Sequence, residues 1–267
     1  MLFDSHVHSK ASPDSRLEPD AAIEACKKMN LGITFTEHID INIPARGFDP
    51  NATDKPVADT DFIADAAVYP VTYEKYRADS VTLGLEIGLT AYALTLNRKK
   101  ALSYDYDYIL GSVHFVDGYD LYHDGKNTFD YDRKKRMLTY SLEMVTISDF
   151  IDAFGHIDYI TRYTPDAEKN VYYDAYAADY DALLSALAGR DIALEINTAR
   201  FGRVPGLEKN LARVYQRFYE LGGKYVTLGS DAHYGKDIGR SFDSALNIAK
   251  EANLTPVYFK NRVRYIS

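Results

Sequence analysis

Cysteine occurs once in the 267 residues, at Cys26. One thiol cannot close an internal disulfide, and no thiolate cluster is available for a metal, so a reducing cytoplasm is the expected location. Positive charge is also short: 31 Lys and Arg stand against 39 Asp and Glu, a formal net charge of −8. A partner held through many phosphates needs a basic surface, so nucleic acid is not an expected partner, although a few arginines together can hold one phosphate. Nowhere does an apolar run approach the ~20 residues that span a bilayer, and no apolar stretch follows a basic start. Neither membrane insertion nor secretion is expected. Linker-like and low-complexity stretches are missing as well, so residues 1–267 read as a single domain.

The chain does contain an apolar share of 46% with 26% charged residues, enough to bury a large core, and 23 tyrosines. Short apolar runs alternate with helical patterns, the signature of repeated βα units around a mainly parallel sheet. The runs are at 2–7, 33–36, 81–85, 108–113, 153–155, 192–197 and 225–229. Between them, helices are expected from Pro19 to about Asn30, over 132–148, through Tyr176, Tyr180, Leu183, Leu184 and Leu187 to Gly189, through Leu211, Val214, Tyr215, Phe218 and Leu221, and over 241–252. A last apolar segment, Val257-Tyr258-Phe259, ends the pattern. Residues 40–70, with Pro44, Gly47, Pro50, Pro56 and Pro70, read as a long loop of the kind that forms lids or binding loops. A chain of this length fits one α/β barrel.

Polar residues mark the ends of these runs. In an extended segment alternate side chains share a face, so His6 and His8 project together, with Asp4 at the same spacing, able either to bind a metal or to orient a ring. By itself a His-x-His is equally a partly exposed strand end. His38, Glu86, His114, His156, and Asp231 with His233 follow the later runs in the same way. Six of the seven histidines therefore sit at strand ends, leaving His123 in a loop, where a solvent-facing place is expected. In a parallel barrel those ends open on one rim, where active sites lie. Imidazole and carboxylate suit zinc, iron and manganese, and the donor set does not choose among them.

The segments Asp4-Ser5-His6-Val7-His8, Thr36-Glu37-His38, Gly84-Leu85-Glu86, Gly111-Ser112-Val113-His114-Phe115, Gly155-His156-Ile157-Asp158 and Gly229-Ser230-Asp231-Ala232-His233 resemble, in order, the motifs of the polymerase-and-histidinol-phosphatase (PHP) superfamily. The fourth of these, His156-Ile157-Asp158 followed by Arg162-Tyr163, and Glu195-Ile196-Asn197-Thr198 are most similar to its histidinol-phosphate phosphatase branch. The resemblance implies a distorted (β/α)7 barrel with a metal centre of three divalent ions at the C-terminal ends of the strands. His6, His8, Glu86 and Asp231 would hold the first ion. Glu86, as a bridge, would hold the second with His114 and His156, and Asp14, His38 and His233 would hold the third. Asp14 stands where several relatives have histidine. The implied activity is that of a metal-dependent phosphomonoesterase releasing L-histidinol and phosphate from L-histidinol phosphate in histidine biosynthesis, with Glu86, Asp231 and His233 catalytic.

Elementary chemistry agrees with that layout. A carboxylate can span two ions ~3.5–4 Å apart, and such a pair acidifies a bridging water and binds the attacking and departing oxygens of a phosphate ester. Hydrolysis by in-line attack of a metal-bridging hydroxide is expected, without a protein nucleophile. Arg162, six residues after His156, and Arg200, three after Asn197, stand where that branch places phosphate-binding residues, and the planar guanidinium suits the non-bridging oxygens. Arg240 is a further candidate that reads better as a surface residue. Glu195 is either core-facing or the partner that orients a ligand histidine, and Glu37 beside His38 is structural or orienting. Tyr92 and Tyr163 read as packing residues near the motifs. The expected partner is a small phosphate monoester. Phosphotyrosine, a nucleotide or a DNA end is the alternative, because loops choose the leaving group, and a non-catalytic metal-binding module is another. The oligomeric state is not set by the sequence.

Overall fold

The structure, a computed structural model, describes residues 1–41, 62–63, 68–124, 132–164 and 169–267, without the side chains of residues 62, 63, 123 and 124. Most of the expected 40–70 loop and the side chain of His123 lie outside the described residues.

Seven parallel strands carry the fold: β1 (Phe3–Val7), β2 (Gly32–Asp40), β3 (Val81–Gly88), β4 (Tyr108–Ser112), β5 (Ala153–Phe154), β6 (Ala193–Asn197) and β7 (Tyr225–Gly229), hydrogen-bonded in chain order. Nearly every residue in them is buried, as it must be in parallel strands covered on both faces. Past the end of β7 the chain returns to β1. Asp231 N donates to His6 O at 2.8 Å, His8 N donates to Ala232 O at 2.9 Å, and Val7 pairs with Ala232 in parallel. The result is a distorted (β/α)7 barrel that closes at its C-terminal mouth. At the other end β8 (Thr255–Lys260) pairs parallel with β7, and β9 (Val263–Ile266) turns back antiparallel on β8. This hairpin was not expected from the apolar segment at 257–259. It packs on the barrel through Tyr258, whose ring stacks on Phe3 with centroids 4.1 Å apart.

Helices α1 (Pro19–Lys28), α2 (Leu94–Ala101), α3 (Arg133–Ile147), α4 (Ala177–Gly189), α5 (Leu207–Glu220) and α6 (Phe242–Glu251) lie between the strands in the chain. Helix α5 buries Leu207, Leu211, Val214, Tyr215 and Phe218 at helical spacing, each such side chain contributing roughly 1.5–3 kcal/mol. Asp132 caps α3, its Oδ1 accepting from Lys134 N at 3.1 Å and Lys135 N at 3.2 Å, a bond of the kind that contributes about 1 kcal/mol. Helix α2 was not expected because it has no apolar stripe. It is anchored by buried Asn97, whose amide donates to Gly88 O at 2.9 Å.

Two strands run past their expected ends, and this sets the site. β2 continues through His38 to Asp40 and β3 through Glu86 to Gly88. His38 and Glu86 are register partners, so they project from adjacent strands on the same face.

Candidate metal centre

The first group is His6, His8, Glu86 and Asp231. His6 Nε2 lies 3.0 Å from His8 Nε2, 3.3 Å from Glu86 Oε2 and 3.6 Å from Asp231 Oδ1. His8 Nε2 lies 3.4 Å from Glu86 Oε2 and 3.5 Å from Asp231 Oδ1. Four ligands ~2.0–2.1 Å from a tetrahedral zinc are separated by about 3.3 Å, so these five edges match the cage of such an ion. In the second group His114 Nε2, His156 Nε2 and Glu86 Oε1 form a triangle with sides of 3.3, 2.8 and 3.3 Å. Glu86 thus turns one oxygen toward each group, as a bridge would. In the third, Asp14 Oδ2 lies 2.9 Å from His233 Nε2 and 3.4 Å from His38 Nε2.

The hydrogen-bond partners of the imidazoles fit these groups to a cation. His6 Nδ1 faces Glu195 Oε1 at 2.5 Å, His114 Nδ1 faces Asp40 Oδ1 at 2.8 Å, and His233 Nδ1 faces the carbonyl of Asp231 at 3.1 Å. Each acceptor calls for N–H on Nδ1, which leaves Nε2 as a bare lone pair aimed into the cluster. There it meets other lone pairs and carboxylate oxygens. Glu86 Oε2 is buried and lies 3.0 Å from His38 Nδ1, 3.3 Å from His6 Nε2 and 3.4 Å from His8 Nε2. Acceptors facing acceptors at such distances repel in a buried site, and a divalent cation is what reconciles them.

The electrostatics point the same way. Burial raises the Glu86 carboxyl, but His6, His114 and His38 outweigh it and hold it well below the usual carboxylate range. Asp231 is likewise lowered against its burial by His6 and Arg162. Burial, with His38 and His233 alongside, pushes His8 down to about 3, which keeps it neutral and able to bind metal. Burial also lowers His6, yet Glu195, Glu86 and Asp231 draw it well above its ordinary value. The same negative charge would serve an ion in place of that proton.

Several residues act on the ligands through hydrogen bonds. Glu195, left open between two roles, orients His6 and also accepts from His156 N at 2.7 Å. A Cβ at Gly229 would collide with Glu195 Oε1 and His6 Cβ, so only glycine admits this pair. Asp40 escaped notice in the sequence, although it follows His38 by two residues on the same face of β2. Glu37 points the other way, and its oxygens accept from Ser9 N at 3.1 Å and from the Ser9 and Ser12 hydroxyls at 2.5 Å, fastening the loop that carries Asp14. Asp4 does not join the histidines. The β1–β2 register shifts between Asp4 and Val7, and the Asp4 carboxylate accepts instead from Ser230 N at 2.9 Å and Gly239 N at 2.8 Å. Asp231 itself sits at φ 55°, a left-handed conformation that Asp tolerates better than most residues.

A cavity of about 270 Å³ stands over the cluster, walled on one side by Glu86, Asp231 and His233 and on another by Phe115, Tyr122 and Tyr163. Arg162 lines it, with Nη1 2.9 Å from Asp231 Oδ2 and Nη2 3.2 Å from Asn197 Oδ1. Arg200 stands outside the lining. Its Nη1 donates to Asp158 Oδ2 at 2.8 Å, and it also bonds Thr161 Oγ1 and the carbonyl of Lys169. Tyr163 lines the cavity, whereas Tyr92 donates to the carbonyl of Ile41 at 3.4 Å and packs on the core.

Fold and site together define a barrel protein with several clustered imidazole and carboxylate groups that could hold metal ions at one mouth. Residues 4–199 match the PHP domain family, and the chain belongs to it. It is 38% identical, over 98% of both chains, to a probable histidinol-phosphatase of Clostridium acetobutylicum. It is 28% identical, over 94% of this chain and 91% of the relative, to a histidinol-phosphatase of Lactococcus lactis. A crystal structure of histidinol phosphate phosphatase from Lactococcus lactis, complexed with zinc, L-histidinol and phosphate, superposes with a TM-score of 0.85 at 27% identity, covering 99% of this chain and 98% of that one.

Proposed function

We propose that this chain hydrolyses L-histidinol phosphate to L-histidinol and phosphate, a step of histidine biosynthesis in the cytoplasm. The observation that carries the proposal is Glu86, whose two oxygens face two separate groups of imidazole nitrogens at the floor of one cavity. The likeness to a phosphatase complexed with zinc, L-histidinol and phosphate supports the choice of substrate.

Three divalent ions, whether zinc, iron or manganese, would be held by His6, His8, Glu86 and Asp231, by Glu86, His114 and His156, and by Asp14, His38 and His233. When bound, they supply the positive charge that acidifies a water and offsets the charge building on the phosphate oxygens. The protein supplies position. Glu86 keeps two groups at a fixed separation, and Ser112 Oγ donates to its Oε1 at 2.7 Å. Asp231 turns Oδ1 to the first group and Oδ2 to Arg162, tying the guanidinium to the cluster. That fork is placed to receive non-bridging oxygens. Arg200 is the proposed second guanidinium: half-buried and within electrostatic reach of Arg162, it would add its positive charge to the phosphate site from behind the first. Glu86, Asp231 and His233 face both the ligand groups and the cavity, and on that ground they are the proposed catalytic residues. The aromatic wall of Phe115, Tyr122 and Tyr163 is left for the leaving group and keeps bulk water from it.

The test compares kcat/KM for histidinol phosphate, phosphotyrosine and nucleoside monophosphates on protein of measured metal content. A preference for histidinol phosphate of at least ~10-fold, about 1.4 kcal/mol of transition-state discrimination, is expected. Preference for a rival would reassign the substrate. Absence of chelator-sensitive turnover on every ester would leave a metal-binding module.

A further inference from the structure

Arg240 finds no place in the main cavity. It lines a second one, of about 200 Å³, which shares Asp231 and His233 with the first and is otherwise bounded by Arg203, Tyr234 and Asp237 among others. Two arginines and two aspartates line it, but Asp231 turns its oxygens to His6 and to Arg162, which leaves Asp237 alone to both guanidiniums. Arg203 Nη2 lies 3.1 Å and Arg240 Nη1 3.3 Å from the same oxygen, Asp237 Oδ1, so one carboxylate faces two guanidiniums. Arg240 Nε is buried and has no acceptor.

Stability does not account for this arrangement, because partly exposed ion pairs contribute only ~0–1 kcal/mol. Two guanidiniums sharing one carboxylate in a chain of net charge −8 leave one positive charge unmet in the cavity that shares His233 with the main one. Paired guanidiniums with donors to spare are a site for a tetrahedral oxyanion.

We infer that Arg203 and Arg240 form a subsite for a phosphate group beside the metal centre, separated from the main cavity by Asp231 and His233. The inference rests on the proposed phosphatase activity for its ligand. That ligand is either free phosphate on its way out or the phosphate of an ester on its way in.

Equilibrium dialysis of the metal-loaded protein with labelled inorganic phosphate tests it. Two phosphates per chain are expected. R203A/R240A should weaken one of them by about 10-fold or more, as expected on losing charge-assisted bonds, and leave the other unchanged. D237N, which removes the competing carboxylate, should tighten the same one. An isotherm unaltered in both variants, each with wild-type metal content and melting temperature, overturns the subsite. Kinetics then separate the sources. A product-phosphate site predicts that R203A/R240A changes inhibition by phosphate with kcat/KM unaltered, whereas a site for the incoming ester predicts a lower kcat/KM with a flatter salt dependence. A protein that binds the second phosphate yet hydrolyses no ester would sink the phosphatase proposal and leave the subsite standing.

Discussion

Glu195 Oε1 lies 2.5 Å from His6 Nδ1, both side chains fully buried. The second oxygen of the same carboxylate accepts from His156 N at 2.7 Å. One side chain on β6 therefore fixes a histidine of the first group and the backbone that carries a histidine of the second. In Glu195→Gln the amide must turn its NH2 toward one of two donors, His6 Nδ1–H or His156 N–H. The expected result is a metal affinity about 10–100-fold weaker, read by competition against a chromogenic chelator, with far-UV circular dichroism unchanged. Unaltered affinity would show that the contact does not orient the ring.

Glu37 makes the corresponding prediction for the third group. Burial lifts its carboxyl to about 7 despite the donors from Ser12 and Ser9, and those donors hold the loop that carries Asp14. Replacing Glu37 by Ala strands several buried donors at roughly 1–3 kcal/mol each and frees the loop. Metal analysis is expected to fall from three ions per chain to two, together with a lower melting temperature. Loss of all the ions at once would place Glu37 under the whole centre instead.

The histidines were legible in the sequence because period-two spacing and strand ends both follow from local residues, and the barrel inherits them: His6, His8, His114, His156 and His233 converge as expected. Asp40 was missed because the run before it was read as ending at Thr36, although the alternation Thr36, His38, Asp40 was there to extend. Asp4 failed in the opposite sense. Perfect alternation puts it with the histidines, and an irregularity in β1 pairing, which no local pattern announces, turns it toward Ser230. The hairpin at Phe115–Val116 and Tyr119–Asp120 turns through Asp117 and Gly118 with φ of 52° and 82°, the Asp-Gly signal of a tight turn. It went unread because no strong apolar run flanks it. The β8–β9 hairpin depends on Tyr258 meeting Phe3 from the other end of the chain, a contact that only the closed fold makes.

The two arginines are predicted to separate by their place. Arg162 lines the cavity and neutralises Asp231, so Arg162→Ala should lower kcat/KM by about 10²–10³, the loss seen when one transition-state donor is removed. Arg200 stands behind it on Asp158 and Thr161, and Arg200→Ala should cost about 10-fold. Equal losses in the two variants would mean that both forks touch the phosphate directly.

Removing Glu86 tests the shared bridge most directly. Its Oε2 stands against His6 and His8 and its Oε1 against His114 and His156, and the carboxylate is completely buried. Glu86→Gln halves the acceptor capacity and places an NH2 against lone pairs of one group or the other, so neither can be served without loss in its neighbour. The two ions should therefore be lost together, leaving one per chain by metal analysis, whereas independent sites would lose one. Stability follows binding: at a free zinc concentration 100 times the dissociation constant, each occupied site contributes about 2.7 kcal/mol. The wild-type protein should therefore melt well above its chelator-stripped form, and Glu86→Gln should keep only the part of that gap owed to the third group. A variant whose zinc-induced rise in melting temperature equals that of the wild type would mean that Glu86 bridges nothing.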